Sequence, residues 1–241
     1  MKKLKKLLSI LSNTPFHPQW LLFRSEEQRF IDIANIANGC VLDIGCAEQK
    51  LRKYLPKTCD YVGLDYPNTA DVLYETKPTV YGDAQNMDFE DNTFDTIVFL
   101  EVLEHLPDPL AAVQECYRVL KPGGKLIFSM PFLYPIHDAP FDFQRLTIHG
   151  LQKLFNEHGF KILKEESMGS PITTAVLLSN IALVKTTLNA IKKKHPAFLI
   201  IVFLPVLIPV LNFLGFIADS FGPKDDFMAH GYTMHLLKER K

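Results

Sequence analysis

The sequence predicts an α/β fold with a doubly wound, mostly parallel sheet and an apolar helical insertion before its last strand. Three observations carry this. From Gly39 to about Ser167, short runs of Val, Ile, Leu and Phe alternate with helical patterns. Strands buried on both faces and joined by crossover helices read this way. Several of these runs end in a glycine or an acid, at the strand ends where open α/β sheets bind ligands. Finally, two uncharged stretches, Met168–Val184 and Pro196–Ala218, interrupt the pattern before a last strand-like run at Gly231–Leu237.

The elements follow in order. Glu26–Ala37 reads as a helix leading into the first strand, Cys40–Ile44. Ala47–Tyr54 is expected as the next helix, and Tyr61–Asp65 as the second strand. Thr79–Gly82 is a weaker strand, followed by Asp95–Leu100. Asp108 is placed to cap a helix over Pro109–Leu120, with proline at its first position. Lys121-Pro122-Gly123-Gly124 should end that helix before the strand Lys125–Met130. Thr147–His158 is a further helix. The domain division is 1–38 for lead-in helices, 39–167 plus 223–241 for the sheet domain, and 168–222 for the insertion.

Composition limits the function classes. The chain has 241 residues, of which 47% are hydrophobic and 22% charged, so it is a folding sequence. A net charge of −1 exerts no global pull on nucleic acid. Its basic residues cluster beside apolar runs rather than along an aromatic groove. Cys40, Cys46, Cys59 and Cys116 form no CxxC pair, and no histidines stand at metal-ligand spacing, so reduced thiols and no metal are expected. The N-terminus MKKLKKLLSIL has too short an apolar run for a signal peptide. Its leucines share one helical face, and two readings stand: a basic amphipathic helix on an anionic membrane surface, or a surface helix packed on the domain.

The functional signal is VLDIGCAEQ, residues 41–49. A strand runs into a turn at Gly45, where backbone can approach a ligand closely, and the helix expected beyond it offers free N–H groups to a carboxylate. Asp65, ending YVGLD, follows Asp43 at the roughly 20-residue spacing that lets an acid reach ribose hydroxyls in nucleotide-binding βαβ units. Gly82-Asp83-Ala84 places a third acid at a strand end, and Phe94–His105 is a buried strand with polar residues at its C-terminal end. No G-x-G-x-x-G is present, which argues against a dinucleotide.

These segments, with GDAQNMDFEDNTFDTIVFLEVLEHLPDP and RVLKPGGKLIFSMP, closely resemble the class I S-adenosylmethionine-dependent methyltransferases, specifically the type 11 methyltransferase domain, over about Gly39 to Ser167. The resemblance implies a Rossmann-like, seven-stranded sheet whose final antiparallel strand is Gly231–Leu237. It implies S-adenosyl-L-methionine as cofactor, with Asp43, Gly45, Cys46 and Ala47 along its methionine part. Asp65 and Tyr66 would hold its ribose, Asp83 and Ala84 its adenine, and Glu101 would lie under the sulfonium side. One departure stands out. The family's turn reads Asp-x-Gly-x-Gly-x-Gly, and here the later glycines are Ala47 and Gln49.

The loop 131–145 is where acceptor chemistry is expected. His137 is a candidate base oriented by Asp138 or Asp142, and Arg145 a candidate anion ligand. The plainer reading is an Asp142–Arg145 pair with His137 exposed. Glu104 and His105 either face the site or only open the next helix. Tyr134, Phe141 and Phe143 either wall an acceptor pocket or belong to the core. Pro196–Ala218 is long enough to cross a bilayer, but the last strand must return to the same sheet. A monotopic or re-entrant insertion, broken at Pro205 and Pro209 and anchored by Lys192–Lys194, satisfies both. A buried helical pair or a dimer interface explains the same residues. The resulting expectation is a methyltransferase acting on a small-molecule, glycan or lipid-linked acceptor at the cytoplasmic face of a membrane. Membrane contact would run through 1–11 and 196–218, without nucleic acid and compatibly with a homo-oligomer. The competing expectation is a membrane-associated, non-catalytic relative that keeps the fold as a binding scaffold.

Overall fold

The computed structural model of the chain describes residues 11–222 and 225–240. The basic amphipathic segment expected at 1–11 lies outside them, apart from Leu11. The chain divides into two compact units, residues 29–168 with 231–241, and residues up to 28 with 169–230.

The first unit is built on a seven-stranded sheet. Its strands are β1 (Cys40–Ile44), β2 (Asp60–Asp65), β3 (Val80–Tyr81), β4 (Phe94–Leu100), β5 (Leu120–Pro131), β6 (Phe160–Met168) and β7 (Gly231–Lys238), in the order β3-β2-β1-β4-β5-β7-β6. The pairs β1–β2, β1–β4, β2–β3 and β4–β5 are parallel. β7 enters antiparallel between β5 and β6. The chain runs outward from β1 in one direction to β3 and then returns to start β4 on the other side, so the topological switch point lies between β1 and β4. That is where an open α/β sheet leaves a crevice at its carboxyl edge.

Burial explains why the apolar runs become strands. Val41, Leu42, Ile97, Val98, Phe99, Leu126 and Phe128 are fully enclosed. The Phe128 ring packs edge-on to Phe99 and to Phe155. Phe155 comes from α3 (Ile148–Glu157), which Thr147 caps by accepting the Gly150 N–H. The helix α1 (Glu26–Ile36) buries Ile33 against the cluster of Val41, Val98 and Ile127. α2 (Pro109–Val119) starts as expected, with Asp108 accepting the Ala111 N–H, and buries Ala112, Val113, Cys116 and Val119.

Three features differ from expectation. Ala47–Tyr54 is not an α-helix: Ala47 and Gln49 have left-handed backbones (φ 40° and 52°), which interrupts helical propagation, and only a 3-10 turn, Lys50–Lys53, follows. Lys121–Gly124 is not a free turn but part of the long strand β5. β6 was not among the runs singled out by apolar character, because it is an edge strand with charged residues, Lys164, Glu165 and Glu166, along its exposed middle. Charge is a common guard on a sheet edge.

The second unit contains a helical turn at Trp20–Phe23 and two long helices, α4 (Pro171–Lys192) and α5 (Leu204–Phe221), joined through a 3-10 segment, Pro196–Val202. Ser170 caps α4. The helices are tied by a buried amide pair: Asn180 Nδ2 donates to Asn212 Oδ1 at 2.9 Å. The Asn212 amide then donates to the carbonyls of Pro15 and His17, at 2.7 and 2.9 Å. Arg24 lies 4.4 Å from the centre of the Phe216 ring and 3.6 Å from Asp219. The break expected at Pro205 and Pro209 falls earlier, between Lys193 and Phe203. Pro205 occupies the first turn of α5, where no N–H is needed, and Pro209 lies inside the helix, where it forfeits one bond.

Candidate functional site

A cavity of about 270 Å³ opens at the carboxyl ends of β1, β2, β3 and β4, within the sheet unit. Gly45, Ala47, Asp65, Tyr66, Asp83, Ala84 and Glu101 all line it. Asp65 ends β2 with both oxygens engaged: Oδ2 accepts the Ala47 N–H at 2.9 Å, and Oδ1 accepts the Tyr66 N–H and the Thr69 hydroxyl, both at 2.8 Å. A carboxylate offers about four acceptor positions, so one remains for a ligand hydroxyl. Asp83 is held by the backbone N–H and side-chain amide of Gln85. Glu101 accepts from the Ser129 hydroxyl at 2.5 Å, and Arg29 reaches both, 3.1 Å from Ser129 Oγ and 3.6 Å from Glu101.

The turn after β1 is closed by its neighbour and not by a helix. The N–H groups of Gly45 and Cys46 donate to the Leu64 carbonyl, so the expectation of free helix N–H groups there does not hold. Gly45 has φ +71°, and a Cβ on it would fall 2.2 Å from Val102 Cγ2; conformation and space both require glycine. Gln49 does not enter the cavity. Its amide donates to the Lys77 carbonyl at 2.6 Å.

Two expected contacts lie outside the lining. Asp43 is buried and accepts the Tyr61 hydroxyl at 2.7 Å. Burial pushes its carboxyl up to about 7, against the opposing Tyr61 hydrogen bond, with Asp65 adding to the rise. Cys46 is buried against Gly63, and burial together with Asp43 and Asp65 raises its thiol to about 12. Both residues shape the turn from behind.

On the acceptor side, Phe141, Phe143, His105 and Asp138 line the cavity. His137 and Arg145 do not. His137 donates its backbone N–H to Asp142 Oδ2 at 2.9 Å, and its Nδ1 lies 3.3 Å from the same oxygen. Arg145 grips Asp142 through both terminal nitrogens. Burial alone would raise the Asp142 carboxyl, but the Arg145 and His137 hydrogen bonds hold it down to about 2. Tyr134 packs its ring edge-on to His137, 5.3 Å away. Glu104 is fully enclosed, and burial, with Glu101 nearby, raises its carboxyl well above the usual range.

Residues 42–128 match the family model described as a methyltransferase domain. The likeness to methyltransferases is carried by that segment. Over 106 residues the chain is 32% identical to the ubiquinone biosynthesis O-methyltransferase of Pseudomonas syringae pv. tomato, covering 40% of this chain and 46% of that enzyme. Over 107 residues it is 36% identical to the enzyme of the same description from Aliivibrio fischeri strain MJ11, covering 39% and 46%. The match thus spans about half the length of these relatives. Among solved structures, the [4+2]-cyclase SpnF superposes with a TM-score of 0.56 at 16% identity, covering 91% of this chain and 83% of that one. Haemonchus contortus phosphoethanolamine N-methyltransferase 2, solved with S-adenosyl-L-methionine, superposes with a TM-score of 0.54 at 18% identity, covering 97% and 60%. These likenesses establish the Rossmann-like fold.

Arg29, Ser129 and Thr69 escaped the sequence reading. Thr69 had a local signal, four residues after Asp65 in a turn. Arg29 and Ser129 are brought to Glu101 only by tertiary packing of α1 and β5.

Proposed function

We propose that the chain transfers a methyl group from S-adenosyl-L-methionine to a small-molecule or lipid-linked acceptor. The observation that carries this is the lining of the cavity. Asp65, Asp83, Glu101 and Asp138 face it, and among the described residues neither lysine nor arginine does. A pyrophosphate would meet four carboxylates there, of which only Glu101 has a cation, Arg29, beside it, whereas a ligand bearing an ammonium and a sulfonium is matched in charge. Asp65 keeps an acceptor position for a ribose hydroxyl. Gln49, turned to Lys77, offers no steric objection.

When bound, the cofactor supplies an electrophilic methyl group on sulfur. The protein's part is to bind, orient and exclude water. Asp65 with Tyr66 is assigned to the ribose, Asp83 with Ala84 to the adenine, and Gly45, Ala47 and Glu101 to the amino-acid end. Asp43 and Cys46 support that turn. Arg29 and Ser129 are positioning residues for Glu101. Phe141 and Phe143 form the apolar acceptor wall beside Asp138. His137 and Arg145, both held on Asp142, lie outside the cavity lining and are not assigned to the methyl transfer itself.

The acceptor is proposed to come from a membrane surface. Phe198, Leu199, Ile201, Val202 and Phe203 are exposed in sequence beside exposed Lys192, Lys193 and Lys194. An apolar wedge next to a basic cluster suits an anionic leaflet. α4 and α5 are also long and apolar enough to cross a bilayer. Monotopic contact through the 3-10 segment is favoured, because the exposed apolar side chains concentrate there, while Asn180 donates to Asn212 at the buried core of the helix pair.

Incubating membranes and cytosol separately with the protein and methyl-labelled cofactor tests this. The expected result is a labelled, lipid-extractable product in the membrane fraction. Label in neither fraction contradicts methyl transfer; label only in cytosol contradicts the membrane source.

A further inference from the structure

Glu104 is enclosed by protein, yet neither of its carboxylate oxygens has a hydrogen-bond partner. Buried polar atoms are nearly always satisfied, and an orphaned pair marks a missing water or ion. Two histidines face it. Glu104 Oε1 lies 3.7 Å from His105 Nε2 and 3.8 Å from His137 Nε2, too far for hydrogen bonds. The three ligand atoms all lie within 4.8 Å of one another.

The outer partners fix which ring nitrogens are available. His105 Nδ1 is 2.7 Å from the Phe141 carbonyl, which can only accept, so Nδ1 carries the proton and Nε2 presents its lone pair. His137 Nδ1 accepts from Arg145 Nη2 at 3.4 Å, since a guanidinium can only donate, and lies 3.3 Å from Asp142 Oδ2; moving the ring proton to Nδ1, facing that carboxylate, frees Nε2 for a cation. His105 Nε2 therefore turns a lone pair toward the buried carboxylate, and His137 Nε2 faces the same group. A carboxylate or carbonyl behind the far nitrogen is how proteins orient metal-bound histidine. Ligand bonds near 2.05 Å in a tetrahedral shell put neighbouring ligand atoms about 3.4 Å apart, so the spacings to Glu104, 3.7 and 3.8 Å, need a few tenths of an ångström of contraction, and the two imidazoles, within 4.8 Å of each other, must draw together by up to about 1.4 Å.

We propose that Glu104, His105 and His137 bind one divalent first-row cation of the Zn²⁺ type at the wall of the cavity. Two imidazoles and one carboxylate suit such an ion and leave a coordination position open. His105 lines the cavity, so that position is presented to whatever occupies it. Asp142 and Arg145 become positioning residues for His137. This set carries no spacing signal, because Glu104 and His105 are adjacent and His137 arrives from a separate loop.

The inference does not rest on methyl transfer, and its test is separate. Chelator-stripped protein would be titrated with Zn²⁺ by competition against a chromophoric chelator. In parallel, Co²⁺ would be followed by its visible absorption. The expected result is one ion per chain, weakened roughly 100-fold or more in Glu104→Gln and in His137→Gln. A drop of about 10-fold is expected in Asp142→Asn. Exposed His149→Gln should bind as wild type does. Thermal melts identify any variant that fails to fold, and the remaining ligand variant then decides. No stoichiometric binding by wild type, or wild-type affinity in the folded ligand variants, overturns the proposal.

Discussion

The two units spend their apolar residues in opposite ways. In the sheet unit, Phe94, Phe99, Phe128 and Phe155 are enclosed almost completely. In the helical unit, Val202, Phe203 and Val206 are each about two-thirds exposed, at 69%, 67% and 69%, and the buried positions of α5 include Asn212 and Gly215. One unit is held by apolar burial. The other is pinned by an asparagine pair and turns its apolar side chains outward. Hydrophobic composition alone does not separate a core from a contact surface; the position of the polar residues does.

Replacing matched phenylalanines breaks this contrast most severely. Phe128→Ala should cost about 3–5 kcal/mol of stability, the usual loss for an enclosed phenylalanine. Phe203→Ala should stay within about 0.5 kcal/mol while weakening sedimentation with anionic liposomes. Urea unfolding measures both, and equal losses would mean that Phe203 is not a surface residue. Next in size is Asn212→Ala, which strands the Asn180 amide and two carbonyls. It should cost roughly 1–3 kcal/mol, seen as earlier proteolysis of the helical unit.

The pH dependence comes from Asp43. Its native carboxyl is raised to about 7 from 3.8, so between those values the folded state holds a proton that the unfolded chain has lost. Its contribution to stability therefore falls as pH rises through that window. Asp43→Asn removes the dependence. The stability of the variant relative to wild type should climb with pH by at most about 1.4 kcal/mol per unit, then level above pH ~7. A flat difference from pH 4 to 7 would contradict the buried proton. The smallest effect is Ala47→Gly. It relieves a left-handed alanine and should stabilise by up to about 1 kcal/mol in thermal unfolding.

Much of the sheet was legible, because buried parallel strands announce themselves as apolar runs and Asp108 and Thr147 cap their helices locally. The acids at the strand ends were legible for the same reason: Asp65 ends β2, Asp83 follows β3 by two residues, and both line the cavity. What stayed hidden depends on distant partners. β6 reads as a charged segment until β7 pairs with it. The turn after Gly45 resembles a helix start until Leu64 takes its N–H groups. Glu104 and His137 meet only when the loop after β5 folds back. In α5, proline was expected to break the helix, but Pro205 falls where a helix tolerates it.

The central claim is that a nucleoside is held by the acids at the ends of β2 and β3. Calorimetric titration with S-adenosylhomocysteine tests it most directly. The account predicts one molecule bound per chain by the wild type. It predicts binding weakened roughly tenfold or more, about 1.4 kcal/mol or above, in Asp83→Ala and in Asp65→Ala, with circular dichroism unchanged. No binding heat from the wild type, or equal affinity in both folded variants, would contradict it.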